Sequence, residues 1–473
     1  MTHKAFRYEQ VVNKIEEIIF GLQLQPGDKV PSVRKVSGDL KVSLTTVNQA
    51  YNILEAKGLI SPRAKSGYYI SSWSKNTIKR TDNGFLLLPE DVAVNTMATT
   101  MIRNTRKYGV INFSSLSPVN EFLPITRLNK ALNAAMKDSD NQNFQYTFPE
   151  GHPALIKQIS LHSMDWPRSL PMDEIQVTNG CMEAISLCLD AVTKAGDIVA
   201  IESPVYAGIL QALESKGLKA LGISVDPQTG INLDELELAL NTHRIAAVIC
   251  MPVCQNPMGT SMPEGNKIRL VNMLATKNIP LIEDDALGDL HFATSRPLPA
   301  KAYDEHQNVM YCSSFSKSLS PGFRIGWVSA GKYHSQVEKL KFAINISTNT
   351  LFQDTLSRYM ENGHFNAHLK SLRANVQRQM VKYRNAILKY FPENISMSNP
   401  KGGYSLWLEL PGKVNALDLQ RQALRQGIGF CPGHIFSAGK GFPNFIRINC
   451  CPLWTSRIDD ALKTLGHIVS SLS

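Results

Sequence analysis

The chain has 473 residues, too many for one ordinary domain, and its 43% hydrophobic and 19% charged content belongs to packed globular material rather than a disordered chain. The net charge is +10, of which +7 falls in residues 1–80, where nine lysines and four arginines face six acids; the rest of the chain, at +3, is nearly neutral. No apolar run approaches membrane-spanning length, and eight cysteines without a CxxC pair argue against a disulfide framework or a metal site. Cys181, Cys188, Cys250 and Cys312 fall in expected core segments, so reduced, buried thiols are expected. Met1-Thr2-His3-Lys4 leads straight into a polar helix, so no signal peptide and no membrane partner are expected, and the expected setting is a bacterial cytoplasm.

Val11, Ile15, Ile18 and Ile19 recur at helical spacing, which predicts an amphipathic helix over residues 6–20, ended by the turn Pro26-Gly27-Asp28. A second helix is predicted from Pro31-Ser32 to Leu40 with Ser32 as its cap. A third, capped by Ser43, runs through Leu54 to a stop at Lys57-Gly58. Three short helices with a tight turn make a helix-turn-helix, whose last helix, carrying Thr45, Thr46, Asn48 and Gln49, enters the major groove. From Leu59 to Ile70, two β-rich runs flank the basic turn Arg63-Ala64-Lys65-Ser66, which predicts a wing. The concentrated charge fits duplex DNA as the partner; a three-helix domain with a solvated basic face is the alternative. Residues 73–110 open with Ser74-Lys75-Asn76-Thr77-Ile78-Lys79-Arg80 and pass through Leu86-Leu87-Leu88-Pro89. They predict a linker, partly helix and partly tether, whose reach sets how far the first domain moves.

Farther on, Val177-Thr178-Asn179-Gly180-Cys181-Met182-Glu183-Ala184 reads as a strand, a glycine turn and a helix start, and backbone N–H groups at such a helix start bind phosphate. Ala246-Ala247-Val248-Ile249-Cys250-Met251-Pro252 and Pro280-Leu281-Ile282-Glu283-Asp284-Asp285 read as buried parallel strands, the second ending in a carboxylate. Between them, Asn256-Pro257 signals a turn with an amide free to donate. Ser314-Phe315-Ser316-Lys317 followed by Pro321-Gly322-Phe323-Arg324 places one lysine, two hydroxyls and an arginine together. A lysine that condenses with pyridoxal 5'-phosphate needs such donors for the phosphate, and a carboxylate such as Asp284 keeps the pyridine nitrogen protonated. Singly, each residue has an ordinary reading: Tyr206 as core packing, Arg447 as a strand-edge salt bridge, Asn256 as a turn former.

The order of glycine turn, Glu202-Ser203-Pro204-Val205-Tyr206, Asn256-Pro257, acidic strand end, Ser-x-Ser-Lys, arginine and Phe445-Ile446-Arg447-Ile448 resembles fold-type I aminotransferases of class I. The resemblance runs from about residue 112 to the C-terminus. It implies pyridoxal 5'-phosphate as cofactor, with Lys317 forming the internal aldimine, Asp284 on the pyridine nitrogen, Tyr206 stacked on the ring and Asn256 on its phenolic oxygen. Gly180, Cys181, Met182, Ser314 and Arg324 would hold the phosphate, and Arg447 would clamp an amino-acid carboxylate. Tyr146 would reach the phosphate of a neighbouring subunit, which implies a homodimer. Two departures stand out: Leu287 occupies the place of a tyrosine that normally donates to the ring oxygen, and the phosphate turn lacks polar side chains at Cys181 and Met182.

At the other end, residues 25–34 and Gly67-Tyr68-Tyr69-Ile70 resemble the GntR winged-helix family, which implies DNA contacts from Arg34, Thr45, Thr46 and Gly67; Leu44 stands where that family commonly has arginine. The fusion resembles the MocR subfamily. The implied architecture is multi-domain: an α+β winged helix-turn-helix over 1–72, a linker over 73–110, and an α/β fold-type I pyridoxal-phosphate-dependent transferase over 111–473, with a large, mostly parallel central sheet and a small α+β domain. Three functions remain open: a transcription regulator sensing an amine or amino acid by aldimine exchange at Lys317, a free aminotransferase, and a scaffold with a dead cofactor site. The first explains both ends of the chain.

Overall fold

A computed structural model of the chain describes residues 7–21, 24, 27–56, 59–63, 66–70, 77–78, 87–105, 109–138, 145–146, 148–361 and 363–473. The expected helix stop at Lys57-Gly58, Pro26 of the first turn, the tip of the wing at 64–65, residues 71–72 at the end of the first domain, and 73–76, 79–86 and 106–108 of the linker lie outside the described residues.

The N-terminal domain is built from α1 (Arg7–Gly21), α2 (Val33–Leu40), α3 (Leu44–Ala56) and the antiparallel pair β1 (Ile60–Arg63) and β2 (Gly67–Ile70). Its core follows the helical repeat: Val11, Ile15 and Ile19 of α1 meet Val36 of α2 and Val47, Tyr51 and Leu54 of α3. Burying each such side chain contributes roughly 1.5–3 kcal/mol. Ser32 caps α2 by accepting from the Lys35 N–H at 3.2 Å, and Ser43 caps α3 by accepting from the Thr46 N–H at 3.1 Å. The Tyr51 hydroxyl donates to the Pro31 carbonyl and its ring packs edge-on against Tyr68 at 5.0 Å, so α3, the lead into α2 and the wing are held as one unit.

The linker is anchored over much of its described length. Glu90–Asp91 (β3) pairs antiparallel with the strand Lys219–Asp226, and Asn95–Thr105 forms α4. Ile78 is buried, and Thr77 bridges to Met397. A tether is therefore not what residues 87–105 form: Glu214 accepts from the Val94 and Asn95 N–H groups at 2.6 and 2.8 Å and holds the start of α4.

The large domain is a nine-stranded sheet. Its centre is parallel: Lys219–Asp226, Ile198–Ser203, Ile245–Cys250, Leu281–Asp284 and Val309–Ser314 lie side by side in that order. Gly326–Ser329 and Ile175–Thr178 then add antiparallel. The central strands are buried on both faces, which explains their continuous apolar reading. The small domain has a four-stranded antiparallel sheet of Ser396–Met397, Ser405–Glu409, Phe445–Asn449 and Cys431–Pro432, covered by the helices His364–Tyr390, Ala416–Arg425 and Ser456–Leu472. No described helix is long and apolar enough to cross a membrane. Cys181, Cys188, Cys250 and Cys312 are free and buried, as their apolar contexts led one to expect, and so are Cys254, Cys431, Cys450 and Cys451.

Candidate functional site

The parallel strands end at a cavity of about 500 Å³ where the large domain, the small domain and α4 meet. Its wall includes Asn112, Tyr206, Asn256, Asp284, Lys317, Arg324 and Arg447, residues up to 335 positions apart in sequence. Ligands of open α/β sheets bind at such strand ends, because loops there converge without blocking the sheet.

Asp284 ends the strand Leu281–Asp284 and accepts hydrogen bonds from the Ala286 N–H at 3.0 Å and the Cys181 thiol at 3.4 Å. Burial pushes its carboxyl above the usual carboxylate range, against the pull of those donors and of Lys317. A buried acid in that condition favours a cationic partner. The Cys181 side chain is thereby turned toward Asp284, while its backbone opens the helix Cys181–Val192.

Lys317 donates from Nζ to the Leu116 carbonyl at 2.6 Å, and its own carbonyl accepts from the Tyr404 hydroxyl. Burial and then the Arg447 guanidinium lower the amine to about 8, with Asp284 opposing. An amine in that range is partly neutral near physiological pH and so nucleophilic.

Gly180 precedes the helix Cys181–Val192 with φ +89°, and a Cβ there would lie 2.6 Å from Arg324 Nη2. Only glycine allows this approach of guanidinium to turn. Arg324, itself left-handed at φ 56°, donates to the Asn179 carbonyl at 2.9 Å and the Ser316 hydroxyl at 3.2 Å. The Glu183 carboxylate reaches back and accepts from the Asn179 N–H and, at 3.4 Å, from the Asn179 amide, which closes the turn. The helix start and Arg324 form an anion cradle. Ser314 is buried at the end of the strand Val309–Ser314, and Met182 is half-buried against the large-domain core. Of the two hydroxyls read from the sequence, it is Ser316, not the Ser314 that the resemblance assigns to the phosphate, that meets Arg324.

Arg447 sits on Phe445–Asn449 with only 4% of its surface exposed. It donates to Asn256 Oδ1 at 2.9 Å and to the Ser114 carbonyl at 2.6 Å, contacts Cys431 Sγ at 3.4 Å, and lies 5.1 Å over the Phe436 ring. Its Nε has no hydrogen-bond partner, and no carboxylate among the described residues pairs with it, so the strand-edge salt bridge is absent. A buried cation held only by neutral acceptors has charge and a donor left to offer an anion. The bond to Arg447 also turns Asn256 so that its amide N–H₂ faces away, free to donate. Tyr206 stands before the helix Ala207–Ser215 over Gly208, whose Cβ would collide with the tyrosine ring at 2.4 Å. Leu287 lines the cavity as a buried apolar side chain and supplies no donor there.

Tyr146 lies outside the cavity wall, 81% exposed. The backbone carbonyls of Ser114 and Leu116, which receive Arg447 and Lys317, are not legible in the sequence: a carbonyl carries no residue signal, and the only local hint is Asn112, whose side chain accepts from the Ser114 and Ser115 N–H groups. A second cavity, about 550 Å³, lies between the N-terminal domain and the rest, lined by Glu16, Leu59, Met380 and Arg384 among others; its wall contains none of the Lys317 set.

At the other end of the molecule, Arg34 on α2 and Thr45 in the first turn of α3 are exposed, while Thr46 is half-buried with its hydroxyl 2.8 Å from the Ser43 cap. Leu44, at the start of α3, is exposed. Gly67 opens β2 with φ +104°. Beside it, Arg63 of the basic turn lies 4.2 Å from the Tyr69 ring, and Lys29, on the segment that bridges to β2, lies 5.8 Å from it; Lys29 is not singled out from the sequence.

Two family models match the chain. The family "Aminotransferase class I and II" matches residues 110–465, and "Bacterial regulatory proteins, gntR family" matches residues 7–70. The chain is 37% identical over 465 residues to the HTH-type transcriptional regulator YdcR of Escherichia coli (strain K12), covering 98% of this chain and 99% of YdcR. It is 34% identical over 463 residues to YjiR of the same organism, covering 98% of each. Among solved structures, LysN, an alpha-aminoadipate aminotransferase from Thermus thermophilus complexed with N-(5'-phosphopyridoxyl)-L-leucine, matches with TM-score 0.74 and 26% identity over 79% of this chain and 95% of that one. The cofactor of this fold is pyridoxal 5'-phosphate, and the residues present fit it: a lysine amine lowered to about 8, a buried carboxyl, and an anion cradle that a Cβ at Gly180 would fill. The chain therefore belongs to the class I and II aminotransferase family and, with its GntR-type helix-turn-helix joined to that domain, to the MocR regulators.

Proposed function

We propose that the protein senses a primary amine or amino acid at Lys317 and passes its occupancy to DNA bound by α3 and the wing. The observation that carries this reading is Arg447: a buried guanidinium with an unpartnered Nε, in the same cavity as a lysine amine at about 8. When bound, pyridoxal 5'-phosphate supplies an aldehyde on which an incoming amine and the Lys317 amine exchange, and a ring that absorbs visible light. Lys317 would hold or release that position, Asp284 would pair with the ring nitrogen, Asn256 would donate to the ring oxygen and Tyr206 would cover the ring. The Gly180-Cys181-Met182 backbone, Ser314 and Arg324 hold the phosphate. Arg447 would take the carboxylate side-on, through its open Nε and the Nη2 on the same edge. Arg34, Thr45, Thr46 and Gly67 meet DNA.

The same reading makes the protein a homodimer. Gln145 and Pro149 lie against the segment 341–350, their carbonyls accepting from the Thr350 hydroxyl and the Lys341 amine, and this face exposes Tyr146, Phe148, Phe342, Ile344 and Ile346 together. Contiguous apolar exposure on this scale marks an interface, and monomeric sedimentation of the loaded protein would contradict it.

The test is reciprocity. A duplex selected from random sequence is titrated with loaded full-length protein, with and without each of a panel of amino acids. An effector that changes DNA affinity by some factor must have its own affinity changed by DNA by the same factor. DNA binding should also fall steeply with salt, as the +7 charge of residues 1–80 implies. An amino acid that alters the visible spectrum yet leaves DNA affinity untouched would sink the sensing reading. The second reading, an aminotransferase, is favoured by the complete set Lys317, Asp284, Arg324 and Arg447, and turnover of an amino acid with a keto acid decides it.

A further inference from the structure

Helix α4 belongs by sequence to the linker, yet it forms part of the cavity wall: Ala98 and Met101 line the same space as Lys317 and Arg447. The helix is fixed there at its start and along its buried face. Glu214 accepts from the Val94 and Asn95 N–H groups, Gln211 donates to Asn95 Oδ1 at 3.0 Å, and Met101 is buried in one cluster with Cys431, Ile435 and Phe436.

The chemistry of this wall is selective. Among the described residues lining the cavity, the charged ones are Asp284, Lys317, Arg324 and Arg447, the four assigned above to the cofactor and a carboxylate. What remains near α4 carries no charge and is mostly apolar: Ala98, Met101, Ile435 and Phe436, with Gln211 the polar member, its amide donating to Asn95 of α4. A second carboxylate or a side-chain ammonium placed against that surface would lose its water with no opposite charge to meet it, which disfavours it strongly. An apolar side chain loses nothing there and gains contact.

Resting on the sensing reading above, we infer that the site takes an α-amino acid with an apolar side chain, and that α4 is the surface on which this side chain is read, with Met101 and Ala98 as specificity-determining residues. Because α4 lies on the segment that joins the cavity to the DNA-binding domain, the side chain that fills the site presses directly on the connection between the two.

The experiment uses loaded full-length protein and follows the visible spectrum during titration with L-leucine, L-methionine, L-phenylalanine, L-glutamate, L-lysine and n-butylamine. The three apolar amino acids should half-saturate at concentrations at least about tenfold below those for glutamate and lysine, the ratio that corresponds to about 1.4 kcal/mol. Glutamate or lysine binding as well as leucine would overturn the inference while leaving amine sensing intact; no spectral response to any amine would take down the sensing reading and this one with it. Met101→Arg places a cation in the apolar wall and should shift the leucine-to-glutamate preference about tenfold toward glutamate. Should that variant fail to hold cofactor, Ala98→Leu decides: by removing cavity volume it should weaken L-phenylalanine severalfold more than L-alanine, and an equal effect on both, or none on either, would refute the role of α4.

Discussion

Replacing Arg447 by glutamine tests the electrostatics of the site before any effector is known. Burial, and after it the Arg447 guanidinium, lower the Lys317 amine from 10.5 to about 8. That displacement corresponds to roughly 3 kcal/mol against the charged amine. If the neighbouring like charge supplies on the order of 1 kcal/mol of it, Arg447→Gln should raise the amine by slightly under one pH unit. Capture of pyridoxal 5'-phosphate by the apo protein requires the neutral amine, so its rate, followed by visible absorbance from about pH 6 to about pH 10, rises with pH and levels off above the amine pKa. The variant's profile should move upward and its rate at pH 7 fall several-fold, to about tenfold. Arg447→Lys keeps the charge and should leave the midpoint nearly in place while losing the two-point grip on a carboxylate. The same shift has a stability counterpart. Between about 8 and 10.5 the unfolded chain binds the Lys317 proton and the folded chain does not, so apo stability from this group rises with pH across that window and its penalty is fully present below it. An unchanged capture midpoint in Arg447→Gln, with circular dichroism matching wild type, would refute the assignment of Arg447 as the neighbouring charge that tunes Lys317.

Gly180→Ala forces a Cβ to within 2.6 Å of Arg324 Nη2 at a residue with φ +89°, so it should lower stability by about 1–3 kcal/mol and speed cofactor loss, measured by thermal melting and by dialysis against inorganic phosphate. Ser43→Ala removes the cap on α3 and should cost about 1 kcal/mol in the unfolding of the N-terminal domain, with Ser43→Asp restoring most of it; equal melting of all three proteins would show that the cap does not hold the helix. Leu287→Tyr adds a phenol to the cavity wall: the pH midpoint of the loaded protein's visible band should fall and any transamination rate rise, at a packing cost of about 1–3 kcal/mol. A midpoint that does not move downward at full cofactor occupancy would show that this position does not tune the ring oxygen.

Much of the molecule is legible in one dimension because the signals are local. Val11, Ile15 and Ile19 recur on one helical face, Ser32 and Ser43 cap the helices they precede, and the runs at 246–251 and 280–282 are apolar because parallel strands are covered on both faces. The linker departs in part from its sequence reading for the opposite reason. Its composition is polar and weakly periodic, and what fixes α4 is Glu214, more than a hundred residues away, and an apolar pocket made by Ile435 and Phe436. Long-range capping leaves no mark near the helix it caps.

Which chemistry is present follows from residue order alone: a lysine beside two hydroxyls and an arginine, an acid at a strand end, a glycine before a helix, and a basic N-terminal domain. These are local because each depends on a short stretch of backbone whose conformation neighbouring residues set. What those groups experience is a property of the folded molecule. Lys317 is lowered because folding takes it out of water beside Arg447, 130 residues later in the chain, and Arg447 is left with an open Nε because the groups around it are Asn256, the Ser114 carbonyl and Cys431 rather than an acid. Solvation and long-range charge belong to an enclosed space, and that space exists only once two domains and the linker helix have closed around it.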